Sequence, residues 1–541
     1  MRVLMINPKY PLSFWTFERG CEYAGSRTTH PSLGLLTVAG LLPKEWELRL
    51  VDVNARALNR QDWDWAEVVM LSGMLVQREA LLALTREAKQ RGKTVVVGGP
   101  YAMSLPREIL EAGADLVFRG EAEDSIQLLL SALAQKDFPQ IIEPDIKPDL
   151  ADCPEPRFDL LLLRDYASVG IQTSRGCPYN CEFCDVVSLY GHKARCKTPD
   201  QVLNELEAIY NLGWRGPVFI CDDNFIGNKN HALAILHKLI PWMKGHGEPF
   251  VFWTQTSVNL GQDLELIDLM TEANFAIVFV GVESPEDEVL TLNRKYQNVR
   301  NPLAESLANI NRNGLTTIAS FVMGFDNEGK GTGEKICRFV EENHLPMVML
   351  NTLQVLPSTS LWDRLKREGR LLESRTSGNT TAAQFNFVPT RPEAEIWEEF
   401  SAAIERLYAP SAYLARTYSY FLAMRPTRTA LGVSREPSTA SALPESPDKA
   451  AAAIGGFLAA LKFFWRHGVL SPARVQFWRQ LYGMYKHNPS RMTGYLHLCA
   501  LGENLFQLRE SLGRKVMMEN RDAAERAVPS HGRAAPDAER P

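Results

Sequence analysis

Short runs of β-branched residues alternate with helix-length stretches at the start of the chain. Four runs have the pattern of strands: 2–6, 48–53, 67–72 and 94–98. Segments with helical spacing, such as 79–91, lie between them. This alternation predicts a doubly wound parallel sheet with helices on both faces, in a domain of residues 1–135. Five prolines between residues 136 and 168 then predict a linker.

A second series of alternating strand and helix patterns begins at residue 169. Its six strand candidates are 169–174, 217–222, 250–256, 276–282, 316–323 and 347–354. Six units are too few for an eight-stranded barrel but are enough for a curved partial barrel, whose chemistry would lie at the carboxyl ends of its strands. We therefore predict a (β/α)6 core over residues 169–370.

Beyond residue 370 the pattern becomes mostly helical and aromatic. It predicts a helical C-terminal domain over 371–518, interrupted at 425–448 by a Pro-, Ser- and Thr-rich stretch that we expect to be a mobile loop. The polar residues 519–541 are expected to be a disordered tail. The chain is thus predicted to be an α/β protein with a doubly wound domain, a partial barrel and a helical domain.

Two segments are unusually rich in aromatic residues. Residues 14–30 either pack between domains or form a buried wedge. Residues 453–466 are apolar with basic residues at one end, and an aromatic run that starts at Phe477 follows them. This stretch is too short to span a bilayer. It either rests on a membrane surface or forms a core helix of the C-terminal domain, and the sequence leaves both interpretations open.

Charge and cysteine usage narrow the class of protein. The formal charge of the 541 residues is −5, and no dense block of Lys and Arg is present, so we expect no nucleic-acid partner. Three of the nine cysteines fall within residues 177–184 and six are scattered, which is not a disulfide framework. With no signal-peptide pattern at the start, we expect a cytoplasmic protein. Peripheral contact with the inner face of the membrane stays open.

The three clustered cysteines follow a predicted strand in the pattern Cys177-x3-Cys181-x2-Cys184. Three thiolates on one loop can hold three irons of a [4Fe–4S] cubane and leave the fourth iron open to a ligand. The alternative is a structural zinc site with His192 or Cys196 as fourth ligand. The spacing of neither residue is usual for zinc, so we favour the cluster.

With Phe183 directly before the last cysteine, this motif resembles the signature of the radical S-adenosylmethionine (SAM) superfamily. The resemblance implies that the open iron chelates the amino and carboxylate groups of SAM, and that reductive cleavage gives a 5′-deoxyadenosyl radical. It also implies SAM-binding roles at matching positions. These are Phe183 and Gly324 beside adenine, Asp222, Asp223 and Asn224 near the amino group, Thr256, Ser257 and Asn259 near the ribose, and Glu283 at a strand end.

The N-terminal domain resembles a cobalamin-binding domain placed ahead of a radical SAM core. The matching strand-end positions are Ser72, Leu75, Gly98 and Gly99. Asn54, in Asp52–Asn54, stands where a fuller form of that family has the histidine that ligates cobalt, so the resemblance implies cobalamin without histidine ligation. The alternative is a doubly wound domain that binds nothing or another nucleotide.

Taken together, the motifs resemble hopanoid C-2 methylases and their relatives over roughly residues 1–500. The resemblance implies a cobalamin-dependent C-methyltransferase acting on an unactivated carbon of a small molecule, a polycyclic or isoprenoid lipid. It also implies an electron donor such as flavodoxin or ferredoxin. Two alternatives stay open. One is a radical SAM enzyme that forms lipid rings or modifies a tetrapyrrole, peptide or antibiotic precursor, and the other is a non-catalytic iron–sulfur redox or binding protein.

Overall fold

A computed structural model describes residues 1–135, 138–144, 147–378, 384–433 and 449–527, without the side chains of 449–455 and 513–527. Two parallel six-stranded sheets follow one another along the chain, and a group of helices follows the second sheet. The predicted α/β fold class is confirmed.

The first sheet is doubly wound, with the strand order β2-β1-β3-β4-β5-β6 and parallel pairing throughout. Its strands are β1 (Arg2–Asn7), β2 (Glu47–Asp52), β3 (Val68–Ser72), β4 (Thr94–Gly98), β5 (Leu116–Phe118) and β6 (Ile141–Ile142). Its helices are α1 (Glu18–Ala24), α2 (Leu33–Leu41), α3 (Arg60–Trp65), α4 (Arg78–Gln90), α5 (Pro100–Ser104), α6 (Pro106–Glu111) and α7 (Ile126–Gln135).

Successive residues of the central strands enter two different hydrophobic cores. Leu4 and Ile6 of β1 pack into the core on one face of the sheet, and Val3 and Met5 pack into the core on the other. A parallel strand covered by helices on both sides is buried on both faces, so it reads as a continuous apolar run. The four strands predicted in this domain are each found within one residue of the expected ends. Strand β6 lies inside the predicted linker.

The second sheet is the predicted partial barrel. Its parallel strands are neighbours in chain order: β7 (Val169–Ile171), β10 (Gly216–Ile220), β11 (Phe250–Thr256), β12 (Phe275–Glu283), β13 (Thr316–Met323) and β14 (Met347–Thr352). The helices of this part are α8 (Val186–Tyr190), α9 (Pro199–Asn211), α10 (Lys229–Gly245), α11 (Leu264–Glu272), α12 (Asp287–Leu292), α13 (Tyr296–Arg300), α14 (Leu303–Arg312), α15 (Thr332–Glu342) and α16 (Ser360–Arg367).

The strand predicted at 169–174 is two separate pieces. It ends as β7 at Ile171, and β8 (Ser174–Arg175) pairs antiparallel with β9 (Arg195–Cys196) in a small hairpin. The break arises because the backbone N–H groups of Thr173 and Ser174 donate to the Asp222 carboxylate instead of continuing a ladder. The hairpin encloses the segment that carries the three clustered cysteines.

The inner face of the barrel can be read from β11, where buried and half-buried residues alternate. Phe250 belongs to the buried set and stacks on Trp242 of α10, with ring centroids 5.7 Å apart. The buried set therefore faces the outer helices. The half-buried set, which includes Trp253 and Gln255, lines the inside of the barrel.

The aromatic segment 14–30 lies against this inner face. Trp15 stacks on Trp253 with centroids 6.2 Å apart and contacts Phe279 of β12 at 5.2 Å. From the other side, Nδ2 of Asn504 donates to the carbonyl of Phe14 at 2.9 Å. The segment is thus packed between the barrel and the C-terminal helices, as one of the two interpretations predicts.

The last part of the chain is helical, as expected. It contains α17 (Glu393–Leu407), α18 (Pro410–Ala423), α19 (Lys449–Trp465), α20 (Arg474–His487) and α21 (Met492–Ala527). Of the predicted loop 425–448, residues 434–448 lie outside the described residues. Residues 519–527 of the predicted disordered tail are helical because α21 continues through them, in a stretch rich in the good helix formers Ala, Glu and Arg. Residues 528–541 lie outside the description.

None of the described helices combines the length and the apolar character that crossing a bilayer requires.

Candidate functional site

The carboxyl ends of the two sheets meet through buried ion pairs. Glu121 and Glu123 follow β5 of the first sheet, and Arg175 ends β8 beside the cysteine segment. The Arg175 guanidinium lies 2.7 Å from a carboxylate oxygen of each, and Arg195 of β9 lies 2.7 Å from Glu121. Burial would raise the pKa of Glu123, but the charge of Arg175 lowers it. The first domain is thereby fixed against the cysteine segment.

The cysteine loop, residues 176–184, turns sharply at Gly176. This residue has φ of +96°, and a Cβ there would lie 2.7 Å from the carbonyl oxygen of Lys193 and 2.8 Å from that of Gly191. Only glycine fits a turn that is both left-handed and so closely packed. The backbone N–H of Gly176 donates to Asp223, and the backbone N–H of Cys177 donates to Gly191.

Asp222, directly after β10, anchors the chain just before this loop. Its two oxygens accept four hydrogen bonds, from the backbone N–H and the hydroxyl of both Thr173 and Ser174, over 2.5–3.1 Å. The side chain is fully buried, and burial raises the pKa of its carboxyl group. All four contacts are made within the protein, so Asp222 positions the strand that leads into the cysteine loop.

The other residues predicted to bind the SAM amino group and ribose lie together at the ends of β10 and β11. Asn224 donates to the Ser257 hydroxyl at 3.1 Å, and that hydroxyl donates to Asn259 at 2.5 Å. Burial raises the pKa of Asp223 to about 7. Thr256 has a buried hydroxyl with no hydrogen-bond partner in the described part of the chain.

A buried lysine lies beside Phe183 of the cysteine loop. Lys295 pairs with Glu283 at 2.5 Å and lies 5.8 Å from the ring centroid of Phe183. Burial alone would lower the pKa of its ammonium group, but the neighbouring Glu283 and Cys181 raise the pKa above its usual value. Gln297 donates to the Cys181 sulfur at 3.5 Å. Glu283 itself has φ of +66° at an irregularity of β12, which directs its side chain toward Lys295.

A network of charges holds the outer side of the loop. Arg364 of α16 donates to both oxygens of Glu182, at 2.8 and 3.2 Å, and also to Asp326. Phe183 meets Phe325 with centroids 5.3 Å apart, next to Gly324 at the end of β13. The predicted adenine-side residues are therefore neighbours in space.

The predicted cobalamin residues lie at the carboxyl ends of β3 and β4. A Cβ on Gly99 would press against the hydroxyl of Ser72, so these two loops touch. At Gly98 a Cβ would meet the carbonyl oxygen of Phe118 at 3.8 Å, an ordinary van der Waals distance. Leu75 lies against Gly378, where a Cβ would come within 2.9 Å of its Cγ. The segment after the barrel thus reaches the first domain at this edge.

The residue at the position of the cobalt-ligating histidine, Asn54, is fully engaged by its own chain. Its Oδ1 accepts the backbone N–H of Tyr10 at 2.8 Å, and its Nδ2 donates to the Pro8 carbonyl and to Asp52. Asp52 is buried and also accepts from Tyr166 in the linker, at 3.4 Å. This network ties the end of β2 to the chain that enters the barrel.

The residues present fit the groups that the motifs imply. Three thiols on one loop, with the Lys295 ammonium and the Gln297 amide beside them, suit an anionic iron–sulfur cluster. Burial raises the pKa of the Cys177 and Cys184 thiols, which iron would deprotonate on binding. Among the described residues no three His, Cys, Asp or Glu side chains are gathered around a single metal position. In a cubane each thiolate binds a different iron.

Sequence reasoning missed Lys295, Gln297 and the buried ion pairs of Arg175. Lys295 lies in the turn between α12 and α13 and Gln297 lies in α13, both more than 100 residues beyond the cysteines, and no local spacing marks them. The position of Arg175 within the cysteine segment could have drawn attention to it. Its acidic partners could not be identified, because they belong to the other domain and lie about 50 residues earlier in the chain.

Family models match three consecutive parts of the chain. Residues 24–130 match the B12 binding domain, residues 171–340 match the radical SAM superfamily, and residues 359–517 match a domain of unknown function (DUF4070). The first two matches imply cobalamin, a [4Fe–4S] cluster and SAM as cofactors.

Two relatives extend the match to most of the chain. An uncharacterized methyltransferase of Synechocystis sp. is 44% identical over 522 residues, covering 96% of this chain and 94% of the relative. Hopanoid C-2 methylase of Rhodopseudomonas palustris is 33% identical over 483 residues, covering 88% of each. The solved structure of OxsB, a cobalamin-dependent SAM radical enzyme, has a similar fold, with a TM-score of 0.56 and 15% identity over 97% of this chain and 81% of that chain. The chain belongs to the cobalamin-dependent radical SAM methyltransferases.

Proposed function

We propose that this methyltransferase acts on an unactivated carbon of a polycyclic or isoprenoid lipid such as a hopanoid. The observation that carries the proposal is the meeting of the two carboxyl-terminal sheet edges, where Arg175 joins Glu121 and Glu123, and Gly378 reaches Leu75. When bound, the cluster supplies the electron that cleaves SAM, and cobalamin supplies the methyl group. Both reagents must reach one substrate carbon, which the joined edges allow.

The interior of the barrel favours a flat apolar substrate. Phe219 of β10 and Trp253 of β11 stack with centroids 3.8 Å apart and ring planes 14° from parallel. Trp15 and Phe279 extend this aromatic surface. Trp253 lies three residues before the end of its strand, roughly 10 Å below the edge where the cysteine loop lies. The fused rings of such a substrate could pack on this apolar surface while the reacting carbon lies nearer the cysteine loop. The hopanoid C-2 methylase relative supports the same substrate class.

Around the cluster, we assign the ligand role to Cys177, Cys181 and Cys184. Lys295 and Gln297 would hold the loop sulfurs in a positive environment, because a cation and an N–H donor near thiolates stabilise the reduced, more negative cluster.

Around SAM, we propose the buried polar side chains at the ends of β10 and β11 as the contacts. The unpartnered hydroxyl of Thr256 suits a ribose hydroxyl, and the Asp223 carboxylate and Asn224 amide suit the amino group. Phe183 and the backbone at Gly324 would adjoin adenine. Asp222 is assigned a positioning role, because its four hydrogen bonds are already made to Thr173 and Ser174.

For cobalamin, we propose binding without a histidine ligand. Asn54 supplies no imidazole nitrogen, and its Oδ1 and Nδ2 atoms both make hydrogen bonds within the chain that hold the side chain in place. The backbone of Gly98 and Gly99 would approach the nucleotide tail of cobalamin, and the side chains of Ser72 and Leu75 would contact it.

We propose that a small acidic electron carrier, flavodoxin or ferredoxin, delivers the electron from behind the cysteine loop. A cleft of about 660 Å³ lies there, lined by Lys147, His192 and Lys193. Gly191 also lines it and accepts the Cys177 backbone N–H, so the cleft is one hydrogen bond from a ligand residue. Basic side chains on such a path steer an acidic partner, and the resulting association rate falls as salt increases.

The test is an anaerobic assay of the reconstituted protein with cobalamin, a reductant, methyl-deuterated SAM and a hopanoid-containing neutral lipid extract. Mass spectrometry should find deuterium in a polycyclic lipid, together with equal amounts of 5′-deoxyadenosine and S-adenosylhomocysteine. Formation of both SAM products with a tetrapyrrole, a peptide or an antibiotic precursor as the labelled acceptor, and never with lipid, would refute the substrate class.

Cysteine variants separate the cluster assignment from the substrate assignment. Cys177→Ala is expected to lose cluster iron and SAM cleavage. The matched control is Cys196→Ala, on the neighbouring strand β9 and half-buried, which should retain both. Equal iron content in the two variants would contradict the proposed ligand set.

A further inference from the structure

The C-terminal helices expose an unusual concentration of large apolar side chains. Ten of the 23 such side chains exposed in the described part of the chain fall within the 29 residues 457–485. They are Phe457, Leu458, Leu461, Trp465, Val469, Leu470, Val475, Trp478, Tyr482 and Tyr485, which we name the aromatic ledge. Scattered exposed apolar residues are ordinary, whereas a concentrated patch marks an interaction surface.

Each ledge helix presents these residues along one side. On α20, Val475, Trp478, Tyr482 and Tyr485 follow one another at intervals of three, four and three residues, which places them on one face. Their exposed fractions reach 75% for Val475 and 69% for Tyr485, so this face is not covered by the described part of the protein.

The opposite faces are firmly packed. Phe477 and Met484 of α20 are fully buried, and Phe463 of α19 packs on Phe477 with centroids 5.9 Å apart. Gln480 accepts a hydrogen bond from the hydroxyl of Tyr495 in α21. The ledge is thus the outer side of a well-ordered core and not an unfolded edge.

The charged residues of the segment that carries the ledge are all basic. Residues 449–502 contain seven Lys and Arg and no Asp or Glu, in a chain whose formal charge is −5. Lys462 and Arg466 pair with Glu22 of α1. Arg474, Arg479 and Lys486 are exposed on α20 next to the ledge, and no salt bridge joins them to another residue of the described chain.

We propose that the aromatic ledge docks the protein on the surface of an anionic phospholipid bilayer. Aromatic and aliphatic side chains would enter the boundary between headgroups and acyl chains, while Arg474, Arg479 and Lys486 meet the phosphates. An apolar face on α20 beside three exposed basic residues without a salt bridge in the described chain favours an anionic bilayer as the partner. A second copy of the chain would bring the same cations face to face, which costs free energy.

This surface does not depend on the proposed substrate, since it concerns binding and not methyl transfer. It also bears on the proposed function, because a protein bound to the bilayer could take a lipid substrate directly from it.

The test is co-sedimentation of the full-length, cluster-reconstituted protein with vesicles of phosphatidylcholine containing 30% phosphatidylglycerol, compared with phosphatidylcholine alone. We expect binding to the anionic vesicles that weakens as salt increases. The double variant Tyr482→Gln, Tyr485→Gln should bind about tenfold or more weakly. The triple variant Arg474→Gln, Arg479→Gln, Lys486→Gln should lose the preference for the anionic lipid.

Leu128→Gln with Leu264→Gln is the matched control, because both leucines are 53% exposed but isolated from the ledge. This variant should bind as the unmodified protein does, and cluster absorbance and thermal unfolding should be unchanged in every variant. Equal binding by the ledge and control variants would overturn the proposal. So would a concentration-dependent dimer that the Tyr482→Gln, Tyr485→Gln variant abolishes while vesicle binding persists.

Discussion

Replacing Asp222 by asparagine and by alanine distinguishes a positioning residue from a SAM ligand. In Asp222→Asn, Oδ1 still accepts the backbone N–H groups of Thr173 and Ser174, at 2.7 and 3.1 Å in the parent protein. The new amide N–H group faces the two hydroxyls, which can rotate to accept from it. The shape and most of the hydrogen bonding therefore survive, although the charge is lost.

Asp222→Ala removes all four hydrogen bonds. The two hydroxyls can seek other partners, but the two buried N–H groups cannot, and each costs about 1–3 kcal/mol when unsatisfied. The total of about 2–6 kcal/mol corresponds to a loss of roughly 30-fold or more in the population of the ordered segment before Cys177. Alanine should therefore behave like the loss of a loop anchor, with iron binding impaired.

The assay is iron and sulfide content after anaerobic reconstitution, followed by the Kd for SAM of the loaded protein. We expect Asp222→Asn to retain at least most of its cluster and to bind SAM within a few-fold of the parent protein. We expect Asp222→Ala to lose most of its iron. A fully loaded Asp222→Asn protein that has lost SAM binding would refute the reasoning, because it would mean that the negative charge itself holds the SAM amino group.

Three further predictions follow from the site. Arg175→Met leaves the buried carboxylate of Glu123 without a cation and Glu121 with Arg195 alone, and should destabilise the junction of the two domains by about 3–5 kcal/mol, seen as a lower midpoint of thermal unfolding; an unchanged midpoint would mean that the ion pairs of Arg175 contribute nothing net. Lys295→Met should move the reduction potential of the cluster to more negative values in an EPR-monitored titration, while Lys295→Arg should not, and a positive shift would contradict the assigned role. Glu328 is buried and accepts the backbone N–H of Gly324 at 2.8 Å. Burial raises the pKa of Glu328 from 4.5 to about 8, so the folded protein holds a proton that the unfolded chain releases in this range. Stability should therefore fall as pH rises from about 5 to 8, and Glu328→Gln should remove this part of the dependence; identical pH profiles for both proteins would exclude Glu328 as its source.

Much of the fold was predictable because its signals are local. The long strands β11 and β13 were predicted with their ends correct, since seven or eight residues show a clear pattern. Strands β5 and β6 have only three and two residues, too few to reveal a periodicity, and they form because a sheet edge is already present. The strand predicted at 169–174 is interrupted by a tertiary contact, because the backbone N–H groups of Thr173 and Ser174 donate to the Asp222 carboxylate.

The residues of the site likewise fall into those that a local pattern reveals and those that only the folded chain brings together. The spacing of the three cysteines lies within eight residues and can be read from the chain directly. The family resemblance groups Asp222 with Asp223 and Asn224, but which partner each side chain meets depends on the loop packed against it. Lys295 could not be found, because a lysine after a helix is ordinarily exposed and only the folded chain buries it beside Glu283 and Phe183.

The aromatic segment 14–30 links the beginning of the chain to its end, with consequences for the order in which the protein folds. Phe14 and Asn504 are 490 residues apart, and Tyr23 bonds to Glu503. During synthesis this segment leaves the ribosome long before the strands that it packs against and the helix α21 that bonds to it. Trp15 cannot pack before β11 and β12 have been made, and the bond from Asn504 to Phe14 cannot form until nearly the whole chain is present. Final closure of the barrel interior is a late event, and chains that terminate before α21 would present this aromatic surface to chaperones or to one another.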